Sequence, residues 1–273
     1  MTSAAEGLFT VLFPSDCRLC GAPLQNISRL PVCQVCLDAM APLHVPVCRT
    51  CGERLQAQEL AHGDAVCGRC RQFPPRFEKA LAYGSYDTGL RELIQLLKYQ
   101  RVRPAAGVLG RMLGEVVVEL AAQNSISEAL VVPVPLHPAK LRQRGFNQSE
   151  LIARAALKNL RGQALAVRAL PGGVLERVRE TQSQTGLTPP QRLANVRGAF
   201  AVARPQEVRG RDIVLVDDVF TTGTTVSECA RVLRRAGARR VLVATVARAL
   251  KPDAAVLPAV DAAPQKEAVE VHA

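Results

Sequence analysis

Residues 213–225 read I-V-L-V-D-D-V-F-T-T-G-T-T and combine two groups that hold ligands by different chemistry. Asp217 and Asp218 are adjacent carboxylates. When ionised they only accept hydrogen bonds, which suits a polyhydroxyl group such as a sugar diol. Thr221, Thr222, Thr224 and Thr225 surround Gly223 and add hydroxyl donors. A turn of this kind between a strand and a helix aims free backbone N–H groups and a positive helix end outward, and that arrangement binds phosphate. The elements that must position it are legible on either side. Ile213, Val214, Leu215 and Val216 read as a buried strand. Val226, Ala230, Leu233 and Ala236 keep a roughly helical spacing, with Gly237 placed as a C-terminal stop.

Eight of the nine cysteines form four C-x-x-C pairs: Cys17/Cys20, Cys33/Cys36, Cys48/Cys51 and Cys67/Cys70. Two such pairs supply the four thiolates of a tetrahedral Zn²⁺ site. The motif C-R-L-C-G followed by C-Q-V-C returns 31 residues later as C-R-T-C-G followed by C-G-R-C. This internal repeat favours one zinc on Cys17, Cys20, Cys33 and Cys36 and a second on Cys48, Cys51, Cys67 and Cys70, with crossed pairing as the alternative. A disulfide framework is the rival reading. The start of the chain lacks the basic n-region of a signal peptide, so the expected compartment is the cytoplasm, where thiols stay reduced. Each unit is too small for a core of its own, so the metal is expected to supply the folding energy. Cys229 stands alone in the helix after the phosphate turn and reads as a core residue.

Between these regions lies P-L-H-P-A-K-L-R-Q-R-G-F-N-Q, residues 135–148. It reads as a basic loop after a buried strand at 129–134 and before a helix from about Ser149. Lys140, Arg142, Arg144 and Gly145 crowd it and are candidates to grip a second anionic group beyond the strand ends. Residues 80–86 read as a strand, Leu90, Leu93, Ile94 and Leu97 as a helical face, and Pro104 as the start of a second helix reaching about Gln123. A strand is expected again at 239–246. Residues 175–200 form a long polar segment, read as a loop that could cover a substrate.

Composition sets the outer limits. The 273 residues are 48% hydrophobic and 4% aromatic, without Trp, which suits an aliphatic α/β protein. No apolar run approaches the ~18 residues of a membrane span, so membrane insertion is not expected. The net charge of +11 is uneven. Residues 1–75 balance six Lys/Arg against six Asp/Glu, whereas residues 76–250 hold 27 against 14. The positive field therefore coincides with the phosphate turn and fits a polyanionic small substrate or nucleic acid, and the neutral head argues against DNA binding there. The expected organisation is a zinc-binding head at 1–75, an α/β domain at 76–250 and a disordered tail at 251–273. Leu8, Phe9, Val11, Leu12 and Phe13 are expected to form a short helix packed on the head.

Residues 213–225 resemble the 5-phosphoribosyl-1-pyrophosphate (PRPP) binding loop of type I phosphoribosyltransferases. The resemblance implies that Asp217 and Asp218 hold the ribose hydroxyls, directly or through Mg²⁺. It implies that residues 221–225 wrap the 5′-phosphate. A wider set of motifs is similar to the ComF/GntX family: the double C-x-x-C head, V-P-V-P-L-H-P with R-Q-R-G-F-N-Q, R-V-R-E-T-Q-S-Q, R-L-A-N-V-R-G-A-F and V-D-D-V-F-T-T-G-T-T. That similarity implies a phosphoribosyltransferase-like twisted, mostly parallel sheet flanked by helices behind a double zinc ribbon, and a link to natural competence and use of external DNA. The implied reaction moves phosphoribose from PRPP to an unidentified acceptor, with pyrophosphate held near Lys140, Arg142, Arg144 and Gly145. The alternative is a non-catalytic PRPP sensor or DNA-uptake accessory protein, with single-stranded DNA or competence proteins as partners. Thr221 departs from the 6-oxopurine salvage enzymes, which place an aspartate there as a base; a threonine does not serve as one near neutral pH.

Overall fold

The fold is a five-stranded, wholly parallel sheet in the order β1-β7-β6-β2-β3, with helices on both faces and the cysteine-rich head against one edge. It is described by a computed structural model covering residues 16–24, 28–61, 65–162, 165–170, 172–181, 186 and 188–250. The short helix expected near residues 8–13 and the tail from 251 lie outside these described residues.

The strands are β1 (Lys79–Ser85), β2 (Glu128–Pro133), β3 (Ala166–Ala169), β6 (Asp212–Phe220) and β7 (Arg240–Arg248). A parallel sheet covered on both sides needs strands that are apolar on both faces. On β6, Val214 and Val216 join one core while Ile213 and Leu215 join the other. The first core is built with helices α4 (Thr88–Gln100), α5 (Ala105–Gln123) and α7 (Gln148–Asn159). The second is built with α9 (Thr224–Arg235). Each Val, Leu, Ile, Phe or Met side chain fully buried in these cores contributes about 1.5–3 kcal/mol.

Two segments expected to be loops contain regular structure. Within residues 135–148 the chain forms helix α6 (Pro138–Arg144). Proline at its start fits a first turn that needs no N–H, and Gly145, at φ +81°, closes it in the left-handed region. Residues 175–200 are not one loop either. Strands β4 (Leu175–Arg177) and β5 (Phe200–Val202) pair antiparallel, and helix α8 (Pro189–Val196) lies between them, opened by a capping box from Thr188 to Gln191. The flap is anchored where the Gly198 N–H donates to Glu228 on α9 at 2.8 Å.

The head packs against the sheet along β1. Its short helices are α1 (Gln34–Asp38), α2 (Ala57–Ala61) and α3 (Gly68–Gln72). Backbone bonds cover the free side of β1: Ala80 N–H donates to Thr50 O at 2.8 Å and Leu43 N–H to Tyr83 O at 2.8 Å. Cys17, Leu24, Val32 and Met40 enter the first core, while Cys48, Cys51, Cys67 and Cys70 enter the second. The two knuckles therefore grip the sheet edge from opposite faces. No helix among the described residues is long and apolar enough to cross a membrane.

Candidate ribose-phosphate site and zinc knuckles

Asp217 and Asp218 lie inside β6, near its C-terminal end, rather than just beyond it. Strand β7 holds this end in register, with Asp217 opposite Thr245, whereas pairing with β2 stops at Val216. Asp217 accepts a hydrogen bond from Ser149 Oγ, in the first turn of α7, at 2.8 Å, and another from the Asp218 N–H at 3.0 Å. Asp218 is buried and forms an ion pair with Lys98 from the last turn of α4. Burial, and then the neighbouring Asp218 charge, push the Asp217 carboxyl up to about 7 against the help of Ser149. Burial works against the charge of Lys98, but the Asp218 carboxylate outweighs it and holds the ammonium above its ordinary range.

The turn that follows is shaped by Gly223. It sits at φ +71°, and a Cβ there would fall 2.4 Å from Phe220 Cζ, so only glycine fits both the conformation and the space. Helix α9 begins at the next residue and runs for 12 residues, so its first-turn N–H groups face the turn. Thr222 and Thr224 hydroxyls lie 2.7 Å apart. Two carboxylates and a hydroxyl-lined helix N-terminus thus meet at the C-terminal end of a central strand, where open α/β sheets hold ligands. The carboxylate oxygens are hard donors that also fit Mg²⁺.

Of the basic candidates, Arg144 is the best connected to this centre. Its guanidinium donates to Gln148, next to Ser149, at 2.6 Å and lies 5.7 Å from the Tyr99 ring centre, next to Lys98. Lys140 is half-buried on the same helix, Arg142 is exposed, and Gly145 ends the helix. Cys229 is fully buried, and burial pushes its thiol well above the ordinary range, which leaves it inert.

The cysteines gather as the internal repeat suggests. The sulfurs of Cys17, Cys20, Cys33 and Cys36 lie within 4.8 Å of one another, and so do those of Cys48, Cys51, Cys67 and Cys70. The Sγ–Sγ separations are 3.9 Å for Cys17–Cys36, 3.7 Å for Cys20–Cys33 and 3.7 Å for Cys51–Cys67. A tetrahedron with Zn–S bonds of about 2.3 Å has edges of about 3.8 Å, so the spacing fits zinc and is far too long for a disulfide. The repeat is also structural. Cys33 N–H meets Cys17 Sγ at 3.3 Å, and Cys67 N–H meets Cys48 Sγ at 3.3 Å. Gly21 and Gly52 hold φ of +73° and +69° in the corresponding knuckles.

Residues 8–71 match the family model of a double zinc ribbon domain, and residues 149–260 match that of a phosphoribosyl transferase domain. DNA utilization protein YhgH of Salmonella typhimurium is 37% identical over 87% of this chain and 98% of its own length. The protein of that name from Escherichia coli K12 is 35% identical over the same shares. Competence protein F of Haemophilus influenzae is 31% identical over 82% of this chain and 93% of its own length. The chain belongs to the ComF/GntX family. Its ComF-type architecture is a double zinc ribbon joined to a phosphoribosyltransferase-like domain.

Several residues at this candidate site are silent in the sequence. Lys98 looks like an ordinary basic residue in a helix's last turn, and Ser149 like a helix-start residue. Arg177 and Thr181, by contrast, belong to the R-V-R-E-T-Q-S-Q motif and meet at the base of the hairpin, where Arg177 donates to Thr181 and lies 5.4 Å from the Phe200 ring centre. The one local signal that was available is the Pro138–Gly145 bracket, which marks α6 as a short helix.

Proposed function

We propose that this protein binds PRPP and transfers its phosphoribosyl group to a nitrogen nucleophile. The observation that carries the reading is the meeting of Asp217 and Asp218 with the Gly223 turn at the N-terminus of α9. In this reading the backbone and hydroxyls of residues 221–225 bind the 5′-phosphate, and Asp217 and Asp218 accept from the ribose hydroxyls. Arg144, with Lys140 one turn away on the same face of α6, receives the pyrophosphate, while Arg142 lies on the exposed side of that helix. The bond from C1 to the pyrophosphate oxygen breaks, the nitrogen–C1 bond forms, and the nucleophile's proton is lost to solvent or a group on the acceptor. Bound Mg²⁺ would supply charge neutralisation for the leaving pyrophosphate. The chain's own task is to fix the ribose between the two acids and the turn, so that charge building at C1 meets oriented carboxylates. Thr221 is exposed and offers no base, so the acceptor must be one that needs none at that position. The relatives' names, which speak of DNA utilization and competence, support an acceptor arising where external DNA is used.

A binding-only reading has one observation in its favour: Lys98 already neutralises Asp218 from within the protein. Calorimetry with PRPP, followed by assay of pyrophosphate release with nucleobases or single-stranded DNA as acceptors, separates the two. Binding with release identifies an enzyme, binding without release with any acceptor identifies a sensor, and absence of PRPP binding overturns both.

A further inference from the structure

We infer that Arg248 makes the second cysteine knuckle part of the phosphate cradle, so that metal at Cys48, Cys51, Cys67 and Cys70 and phosphate at the Gly223 turn stabilise each other. The inference rests on the phosphate-binding reading above and adds to it a positioning residue and a direction of coupling.

Arg248 is the last residue of β7 and is 2% exposed. A buried guanidinium needs partners, and nearly all of these belong to the head. Its Nη1 donates to Cys51 O at 2.5 Å, and its Nη2 donates to Glu53 Oε2 at 3.1 Å and lies 3.6 Å from Cys51 Sγ. On its other side the guanidinium lies 4.3 Å from the centre of the Phe220 ring. Phe220 ends β6, packs edge-on against Phe77 at 5.9 Å, and is the ring that a Cβ at Gly223 would strike. Knuckle, guanidinium, ring and phosphate turn therefore form one continuous stack of contacts. A second attachment runs beside it, where Arg76 N–H, just after the knuckle, donates to Ser227 Oγ in the first turn of α9 at 3.1 Å.

The first knuckle is attached elsewhere. Met40 lies 3.3 Å from the position a Cβ would take on Gly89 in α4, and Tyr83 on β1 donates to Met40 O at 3.2 Å. The two metal sites should therefore differ in what they support. The Cys51 carbonyl is fixed only while its knuckle is closed, and a unit this small closes on its metal. Opening it removes the acceptor from a buried charge, frees Phe220 and loosens the turn that Gly223 makes. Linkage then requires the converse: phosphate bound at the turn must hold the metal in the second knuckle.

The test uses the full-length, zinc-loaded protein with ribose 5-phosphate as probe. Zinc release to a chromogenic chelator is followed with and without saturating sugar phosphate. The expected result is that one of two equivalents is released about tenfold more slowly with ligand present, within the usual range of coupling between sites. Cys20→Ser, at an exposed ligand of the first knuckle, should remove the unprotected equivalent and leave ribose 5-phosphate affinity within about twofold. Arg248→Met should abolish the protection and weaken ribose 5-phosphate, and Arg248→Lys should not rescue either, since an ammonium cannot bridge two acceptors and cover the ring together. If Arg248→Met does not fold, Phe220→Leu cuts the same stack without burying an unpaired charge and should also lose the protection. Ligand binding with no change in release of either zinc, or full protection in both Arg248→Met and Phe220→Leu, overturns the inference alone. Failure of wild-type protein to bind ribose 5-phosphate overturns the phosphate reading and this inference with it.

Discussion

Replacing Lys98 by Met tests whether the acids at the heart of the site are held ready at the expense of stability. The side chains of Lys98 and Asp218 are 17% and 5% exposed, so the pair is largely out of water. Methionine keeps most of the buried stem and removes only the charge. Asp218 is then left buried beside Asp217, with no other ion pair to it among the described residues. Breaking a buried pair from one side costs about 3–5 kcal/mol, and the partial exposure of Lys98 places the expectation near the lower end, about 3 kcal/mol. The loss carries a pH signature. Burial and the Asp218 charge already hold the Asp217 carboxyl above its unfolded value, and Lys98 opposes that rise. Without Lys98 the folded value rises further, so the folded state keeps a proton that the unfolded chain has released. Stability relative to wild type is then least impaired in acid and falls as pH rises, with the full deficit above the raised folded value. Urea unfolding of both proteins at about pH 5.5 and about pH 8 should show the deficit growing with pH. Mg²⁺ should recover part of it at the higher pH by replacing the lost charge. A deficit below about 1 kcal/mol, or one equal at both pH values, would mean that Lys98 is an ordinary surface partner and that the acids are not held under charge strain.

Four further outcomes are expected. Protein purified without chelator should carry about two equivalents of zinc by metal analysis, and stripping them should unfold the head, because neither unit has a core of its own. Gly223→Ala should lose about 1–2 kcal/mol of stability from the left-handed backbone alone, more once Phe220 is displaced, and phosphate affinity by calorimetry should fall with it. Mg²⁺-dependent PRPP binding should weaken as pH falls below about 7, because Asp217 titrates there and its protonated form no longer offers a charge; a level profile from about pH 6 to 8 would remove Asp217 from the ligand set. Arg144→Ala should weaken PRPP by about 1.5–3 kcal/mol and leave ribose 5-phosphate nearly unchanged, whereas equal losses would place Arg144 away from the pyrophosphate.

The candidate site is legible in sequence where its chemistry is local. The acids, the glycine and the threonines are contiguous, and the strand before them needs only an apolar run to be seen. The cysteine grouping was legible because the repeat spells it twice. What was missing is what the fold brings from afar. Ser149 reaches Asp217 across 68 positions, and Arg248 reaches Cys51 across 197. Neither residue type is unusual for its place, so nothing in the neighbouring sequence marks it. The acids were expected beyond their strand because an apolar run was taken as its limit; parallel pairing with β7 continues past Asp217 to Phe220 regardless of polarity. The flap was read as loop because its polar surface masks two three-residue strands, which propensity over so few residues does not reveal.

The strand order also governs how the protein is made. Of the described strands, β7 is the last to leave the ribosome, and it lies between β1, the first, and β6. Until residue 248 is available, β1 has no strand beside it in the sheet. Among the described residues, the head covers its other side, through Thr50 and Leu43, which precede it in the chain. A growing chain supplied with zinc therefore exposes one edge of this strand rather than two, and an open edge is what recruits other chains. Metal shortage during synthesis should consequently appear first as lost yield and aggregates, before any fully folded molecule shows a defect. The zinc demand of this protein is in that sense set at the time of translation as much as by the finished fold.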